Sequence, residues 1–471
     1  MELTQVCSRW RAVAFATPKI WQDLKCAIYL SADKNERQET QSFIQDWISR
    51  ARNMPLSIVA IPLDLRPDVE ANPSYFPRLN QPFMRNSVRM QPVSQDPGLP
   101  QWVYANNKFN LLKDIIIPNS PKIRDLHITL PSYYRHSFAL LKQEVDFPLL
   151  EDFTLNIATS TRAPTRYLVR PLPVSPQYAL LNNTPRLRKF KSSLNFSDFH
   201  ITSHTQFQID WSRITHFEAG PIPASIFLQT LCQTRCLQYC KASLEADSPM
   251  TLLAAMQTVG KPGSRSCNTH LPNLKVLSLT ADTWNTLAPL ILKDTIALSE
   301  FRLSVYGRPD RHPTTMRDFL CLPALSQLTH LVNNHVPGGW PETINQDAVD
   351  AIAGGHIVPH LHTLHFEGGL SGISGESIVN LLMAKGFVSP SDGSTIFPDP
   401  AGSKRVTTSH LGHAGSVGAP FQQVKIYGLT LDEDDDLYKI QEQVGSECLV
   451  LEMLEMDKWD LLNQIEWEED E

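Results

Sequence analysis

The sequence lacks a basic excess, a long apolar run and a cysteine framework, and each absence argues against a class of protein. Lys and Arg number 42 against 49 Asp and Glu, which gives a net charge of −7. Nucleic acid is therefore not expected as a partner, since a phosphate-binding face needs a basic surplus. No run of about 18 apolar residues occurs, so neither a membrane span nor a membrane partner is predicted. The eight cysteines have no regular spacing, which indicates reduced thiols and a cytoplasmic or nuclear protein.

Motifs for catalysis and metal binding are also missing. There is no Gly-x-Ser-x-Gly nucleophile elbow, no phosphate loop ending in Gly-Lys-Ser/Thr and no His-Glu-x-x-His pair. Four histidines crowd one segment, and three cysteines recur four residues apart as on one helix face: His356, His360, His362, His365, Cys232, Cys236 and Cys240. Without a second ligand pair, the cysteines are interpreted as small buried thiols, and His360 and His362 as solvent-facing neighbours of a strand. We predict a protein that is not an enzyme and binds no metal or cofactor.

What the sequence does contain is a phrase that occurs nine times: Pro, one residue, apolar, two residues, apolar, one residue, apolar. Six copies begin with proline, as in PNLKVLSL from Pro272, and three weaker copies begin with another residue. The copies start at residues 121, 148, 185, 212, 235, 272, 296, 323 and 359. A period centred in the twenties and lengthened by insertions is typical of leucine-rich repeats, whose stacked neighbours share one core. The interpretation is an α/β fold, a leucine-rich-repeat-like curved solenoid, with an irregular α/β domain as the alternative.

Each copy of the phrase predicts a strand, and the segments between copies predict helices. In PNLKVLSL, Leu277 and Leu279 alternate as on a strand, while 225–233 and 250–259 have helical spacing. The predicted organisation along the chain is helices over 1–25, a β–α–β unit over 26–65, a Pro-rich insertion over 66–108, degenerate repeats over 109–386, a disordered loop over 387–420, and a last strand or helix with an acidic tail over 421–471.

The first 25 residues carry an amphipathic pattern. Apolar residues step by three and one, as on one stripe of a helix: Leu3, Val6, Cys7, Trp10, Val13 and Ala14. Thr17 is expected to cap a second short helix that has Pro18 at its first position and points Trp21 to one side. Two short helices cannot bury Trp10 and Trp21 by themselves. They need a third element or a partner protein.

This stretch, ELTQVCSRWRAVAFATPKIWQDL, resembles the second half of an F-box as found in many basidiomycete fungal F-box proteins. Residues 43–61 are similar to the segment that follows the F-box there. The resemblance implies a substrate receptor of a cullin–RING ubiquitin ligase, with short F-box-like helices that grip the adaptor subunit and repeats that hold an unknown target protein. It implies these adaptor-binding residues: Leu3, Val6, Trp10, Pro18 and Trp21.

Two alternatives remain open at the level of the sequence. One is a leucine-rich-repeat binding or scaffold protein with a vestigial F-box and no ligase role, in which Trp10 and Trp21 only cap the end of the solenoid. The other concerns the motif itself, because an F-box usually begins with a Leu-Pro-x-Glu helix and Met1 falls inside the pattern. We therefore expect a fragment, a gene model begun at an internal methionine or a variant without that helix, and weakened adaptor binding.

Overall fold

The chain divides into two compact units, and each is described by itself. Unit 1 comprises Met1–Val169 and Pro176–Arg186, and unit 2 comprises Arg170–Ser175 and Leu187–Glu471. The computed structural model describes residues 8–29, 34–63, 112–131, 145–158, 181, 183–194, 207, 209–247, 269–281, 292–293, 295, 297–305, 317, 320–322, 325–334, 346–367, 373–391, 393–398, 406–407, 419–429 and 435–453.

Unit 1 contains a parallel sheet whose described strands follow one another in chain order. The strands are β1 (Asp23–Tyr29), β2 (Leu56–Leu63), β3 (Ile123–Pro131) and β4 (Asp152–Ala158). Before β1 come helix α1 (Ser8–Ala16) and a 3₁₀ turn (Pro18–Trp21), and helix α2 (Lys34–Ala51) crosses from β1 to β2. Short helical turns lead into β3 at Leu112–Ile116, Ile117–Asn119 and Ser120–Lys122.

The connection through α2 is the β–α–β arrangement expected from the sequence, with one shift in its start. The first strand begins at Asp23, inside the stretch predicted as helical over 1–25. Leu24 is buried between the exposed side chains of Asp23 and Lys25, which is the alternation of a strand residue. The helical part of the N-terminus therefore ends at Trp21.

Unit 2 has a longer parallel sheet, and its elements come in a regular succession. Its strands are β5 (Lys189–Ser192), β6 (His216–Pro223), β7 (Tyr239–Glu245), β8 (Thr269–His270), β9 (Val276–Ala281), β10 (Leu292–Lys293), β11 (Glu300–Val305), β12 (His330–Asn334), β13 (Thr363–Glu367), β14 (Phe387–Val388), β15 (Thr395–Phe397), β16 (Val406–Thr407), β17 (Gln423–Leu429) and β18 (Leu449–Met453). Its helices are α3 (Ala224–Leu231), α4 (Gln346–Ala353), α5 (Gly375–Lys385) and α6 (Asp435–Val444), with a 3₁₀ turn over Trp211–Arg213.

The main sheet of unit 2 runs in the order β5-β6-β7-β9-β11-β12-β13-β17-β18, and every pair of neighbours in it is parallel. Strands β8 and β10 form a separate parallel pair, while β14, β15 and β16 form a small antiparallel sheet. Parallel neighbours require crossover connections, and α3 between β6 and β7 is one such connection. The architecture is mixed α/β.

The repeated phrase predicts core positions, and these are confirmed. In eight of the nine copies all three apolar positions of the phrase are buried. In the copy from Pro272 these are Leu274, Leu277 and Leu279, none more than 1% exposed. The polar residues between them stay half-buried or exposed, so β9 has one apolar and one polar face.

The copy from Pro323 is the exception, and its predicted register is wrong by three residues. Strand β12 begins at His330, which lies exposed, and Leu331 takes the buried place next to it. Leu331 pairs with Leu364 of β13, the equivalent core position of the next strand. The phrase therefore starts at Ser326. Leu328 and Leu331 have the same spacing as Leu325 and Leu328, the two leucines of the predicted register.

The prediction of a disordered loop over 387–420 is wrong where the structure describes these residues. Phe387 and Ile396 are buried partners in the antiparallel sheet of β14 and β15, and Phe387 also bridges to Phe421. A few well-placed apolar residues order a segment that is otherwise rich in glycine, serine and proline. Within the stretch predicted as a last strand or helix with an acidic tail, Asp435 and Asp436 open helix α6, where negative charge favours the helix dipole.

Other predictions fall where the structure gives no description. The Pro-rich insertion over 66–108, the helix over 250–259 and the acidic residues over 466–471 lie outside the described residues. The helix predicted over 225–233 corresponds to α3.

Candidate functional site

An aromatic cluster in unit 1 joins the N-terminal helical turns to α2. Trp21 is only 2% exposed, and its indole Nε1 donates a 2.7 Å hydrogen bond to the carbonyl oxygen of Ala14. The ring of Trp47 on α2 meets the Trp21 ring edge-on, with centroids 4.8 Å apart. Phe15 and Phe43 extend this row of rings, one at each end, at 5.8 Å from Trp21 and Trp47 respectively. Helix α2 is thus the third element that the two N-terminal helical turns need.

A cation covers part of the cluster. The guanidinium carbon of Arg50 lies 4.3 Å from the Phe15 ring centroid and 4.8 Å from that of Trp21. Arg50 is also ion-paired with Asp46, four residues earlier on α2. The stacked guanidinium holds the rings in place through cation–π attraction while its charge faces solvent.

Large apolar side chains are left exposed on the three elements that form this cluster, which are α1, the 3₁₀ turn and α2. Val13, Phe15, Ile20 and Phe43 are 48%, 40%, 47% and 37% exposed, and we call them the N-terminal apolar patch. In the described part of the chain, the other large apolar side chain as exposed as these is Met383 of α5. Several large exposed apolar side chains in one part of a chain are typical of a protein interaction surface.

The structure places the sequence-predicted adaptor-binding residues unevenly. Leu3 and Val6, and the side chain of Trp10 in α1, lie outside the described residues. Pro18 is half-buried at the first position of the 3₁₀ turn. Trp21 is buried inside unit 1, so its ring supports the patch from below instead of facing a partner.

None of the four members of the patch is among the adaptor-binding residues predicted from the sequence. Phe15 and Ile20 are apolar but fall outside the helical stripe, and this mismatch is the signal that would have marked them as surface groups. The expected cap at Thr17 also differs. Thr17 occupies the cap position, but its hydroxyl donates to the carbonyl oxygen of Val13 at 2.7 Å and makes no cap bond.

The three spaced cysteines of unit 2 do not form a shared site. Helix α3 ends at Leu231, so they do not share a helix face, and they differ in burial. Cys240 is buried on β7, and burial raises the pKa of its thiol. Cys232 is half-buried and Cys236 is exposed, which corrects the interpretation that all three are buried.

The histidines that are close together in the sequence differ in their exposure to solvent. His356 and His360 are exposed, whereas His362 is half-buried with Nδ1 3.2 Å from the carbonyl oxygen of Pro420. Within the described ranges, no group of three or more His, Cys, Asp or Glu side chains is arranged to hold a metal ion. None of the helices in these ranges is long and apolar enough to span a membrane.

No protein-family model matches the chain, and no curated protein is significantly similar to it.

Proposed function

We propose that the chain is a protein-interaction adaptor without enzymatic activity, an F-box-type substrate receptor that brings a target protein to a cullin–RING ubiquitin ligase. The ligase adaptor subunit docks on the N-terminal apolar patch, and the target protein binds the repeats of unit 2. The proposal rests on the F-box-like sequence of residues 2–24 and, above all, on one structural observation. Four large apolar side chains are exposed on the elements that form the aromatic cluster, and three of them, Val13, Phe15 and Ile20, fall within that sequence pattern.

The physical argument concerns the free energy of docking. Interface energy concentrates in a few large side chains that are held in place before binding, because ordering them on binding costs entropy. Phe15 is held by the Trp21 ring and the Arg50 guanidinium, and Phe43 by the Trp47 ring. Ile20 is fixed by its place in the 3₁₀ turn, directly before the buried Trp21. The patch therefore offers apolar area to a partner at little conformational cost.

The same proposal treats the repeats of unit 2 as a leucine-rich-repeat-like solenoid. Parallel sheets in ordinary α/β domains are covered on both faces and have buried residues on both. On several strands of the main sheet the residues between the core positions, such as Lys241 and Arg302, are exposed, whereas Val332 and Thr363 are buried. A stack of repeats accounts for this pattern, because each strand adds its apolar side to a common core and leaves its other side to solvent.

A second candidate is a repeat-based scaffold with a vestigial F-box and no link to a ligase. The burial of Trp21 favours it, because this ring closes the end of unit 1 and is not available to a partner. In this case the patch would bind something other than the ligase adaptor.

Affinity purification of the full chain from its native cell distinguishes the two candidates. The proposal expects the ligase adaptor and a cullin to co-purify with the chain, together with the target. Recovery of target proteins without adaptor or cullin supports the scaffold.

A further inference from the structure

The polar face of the main sheet in unit 2 carries a row of aligned side chains. Strand register places residues at equivalent positions directly beside one another across consecutive strands. From β5 to β17 the row is Lys191, Glu218, Lys241, Ser278, Arg302, Val332, His365 and Lys425. Four of these side chains are cations, and Glu218 is the single carboxylate among them. We call Lys191, Lys241, Arg302 and Lys425 the basic row.

The charges of the basic row are only partly neutralised. Lys191 forms a salt bridge with Glu218 at 2.7 Å, and Arg302 pairs with Glu300 of its own strand while remaining 52% exposed. No carboxylate among the described residues lies within salt-bridge distance of Lys241, which is exposed, or of Lys425, which is half-buried. A chain of net charge −7 thus presents a face of opposite sign.

The field of these cations reaches the uncharged groups between them. Burial, and next the charge of Lys425, lowers the pKa of His365, with a smaller contribution of the same sign from Arg302. His365 is therefore neutral near pH 7 and adds no positive charge of its own. Its Nε2 is buried and makes no hydrogen bond within the described part of the chain.

We propose that the basic row binds an extended acidic segment of a partner protein. This inference rests on the proposed function, in which unit 2 holds a target protein. It adds the chemistry of that target. Electrostatic complementarity of this kind selects partners and speeds association, and cations spaced along a sheet face, two of them exposed and two half-buried, suit carboxylates spaced along a peptide.

The spacing of the row sets the length of that segment. Lys191 and Lys425 lie seven strands apart in the sheet order, a span of about 34 Å at about 4.8 Å per strand. An extended chain rises about 3.3 Å per residue, so a segment of about ten residues covers the row. Neighbouring cations of the row are two or three strands apart, or about 10–14 Å, which matches acidic residues at every third or fourth position.

An acidic protein segment fits this face better than a nucleic acid. The carboxylates of Glu218 and Glu300 lie among the cations and would repel a continuous phosphate backbone. The cations are also separated by neutral positions such as Ser278 and Val332, where a nucleic-acid site would have closely spaced basic groups.

Fluorescence anisotropy with the full chain tests the proposal. The probe is a labelled peptide of about ten residues with Glu at every third position, and its control replaces each Glu with Gln. We expect binding of the Glu peptide that weakens as salt rises, and binding at least about tenfold weaker for the Gln peptide. Lys241→Glu and Lys425→Glu, at separate places in the row, should each weaken binding by about tenfold or more. Arg235→Glu, an equal change of charge at an exposed residue outside the row, should leave binding unchanged.

Three results would overturn the inference. These are equal binding of the Glu and Gln peptides, equal loss in the Arg235 and Lys241 variants, and tighter binding of a single-stranded oligonucleotide than of the Glu peptide. Circular dichroism verifies that each variant is folded, and the Lys425 variant decides the matter if Lys241→Glu, placed beside Glu218, fails to fold. Co-purification of the ligase adaptor tests docking on the N-terminal apolar patch, and the peptide assay tests the basic row. Failure of the proposed function and failure of this inference are therefore distinguishable.

Discussion

The indole Nε1 of Trp47 donates a 2.7 Å hydrogen bond to the backbone carbonyl oxygen of Trp21, while the two rings meet edge-on at 4.8 Å. One residue of α2 thereby fixes both the backbone and the ring of the N-terminal turn, across 26 positions of sequence. The N-terminal apolar patch stands on this junction. Two of its side chains contact the pair directly, Phe15 at the buried Trp21 and Phe43 at the half-buried Trp47.

Removing the buried ring should destabilise unit 1 far more than removing an exposed neighbour. Trp21→Ala creates a cavity and leaves the Ala14 carbonyl without its indole donor, so we expect a loss of about 3–5 kcal/mol. Ile20→Ala, at a residue 47% exposed, should cost less than about 0.5 kcal/mol. Urea unfolding followed by circular dichroism measures both, and similar losses would mean that Trp21 does not anchor the junction.

The register of the repeats is tested by a second pair of substitutions. Leu277 is fully buried on β9, whereas Lys275, two residues earlier, is exposed. Leu277→Ala should reduce the free energy of unfolding by about 2–5 kcal/mol, and Lys275→Ala by less than about 0.5 kcal/mol. Leu364→Ala, at the equivalent place on β13, should behave like Leu277→Ala. A small effect at either leucine would contradict the assigned core.

Local spacing was enough to predict the strands that carry the repeated phrase, because this phrase places apolar residues where a strand and its preceding turn need them. The same rule failed at Pro323, where Leu325 and Leu328 fit the spacing as well as Leu328 and Leu331 do, and only pairing with the neighbouring strands separates the two registers. The contact between Trp21 and Trp47 depends on how α2 packs, which no local pattern contains.

The prediction of a disordered loop over 387–420 was wrong because it was based on composition, which does not show where single apolar residues pack. Glycine, serine and proline dominate the segment, yet Phe387 and Ile396 are enough to pair β14 with β15. Short antiparallel strands contribute only one or two core residues each, too few for a periodic signal.

Two glycines in this part of unit 2 provide a test of the antiparallel sheet. Both have a left-handed backbone, with φ of +66° at Gly386 and +69° at Gly393. A Cβ at Gly386 would lie 2.8 Å from the carbonyl oxygen of Ile396, whereas nothing lies within 4 Å of one at Gly393. Gly393→Ala should cost about 1 kcal/mol of backbone strain, and Gly386→Ala at least about 1 kcal/mol more. Equal shifts in unfolding midpoint would show that β15 does not pack against the end of α5.

A buried lysine should make stability depend on pH. Lys385, the last residue of α5, has no exposed surface, and its Nζ lies 3.4 Å from the carbonyl oxygen of Leu361 and 5.1 Å from the ring centroid of Phe421. Burial lowers its pKa from 10.5 to about 8, so the folded chain binds fewer protons than the unfolded chain between these two values. Stability contributed by this residue therefore rises with pH across that window, by about 3 kcal/mol in total.

Comparison with Lys385→Met isolates this contribution from other titrating groups. The methionine variant should gain most over the wild-type chain below pH 8, where both states of the lysine are charged, and that gain should shrink as the pH approaches 10.5. Urea titrations at several pH values give the difference directly. A difference that does not change with pH would mean that the lysine is charged at no cost in the fold.

Docking of the ligase adaptor on the N-terminal apolar patch is tested by the affinity of the purified chain for the isolated adaptor subunit, measured by biolayer interferometry. Ile20→Asp places a charge in the patch, and Met383→Asp makes the same change at an exposed apolar residue of unit 2. We expect Ile20→Asp to weaken binding by at least about tenfold, because a charge buried in an apolar interface must lose its hydration, and Met383→Asp to leave it unchanged. Equal affinities for the two variants, or no binding by the wild-type chain at about 100 μM adaptor, a free energy of about −5 kcal/mol, would contradict adaptor docking on this patch.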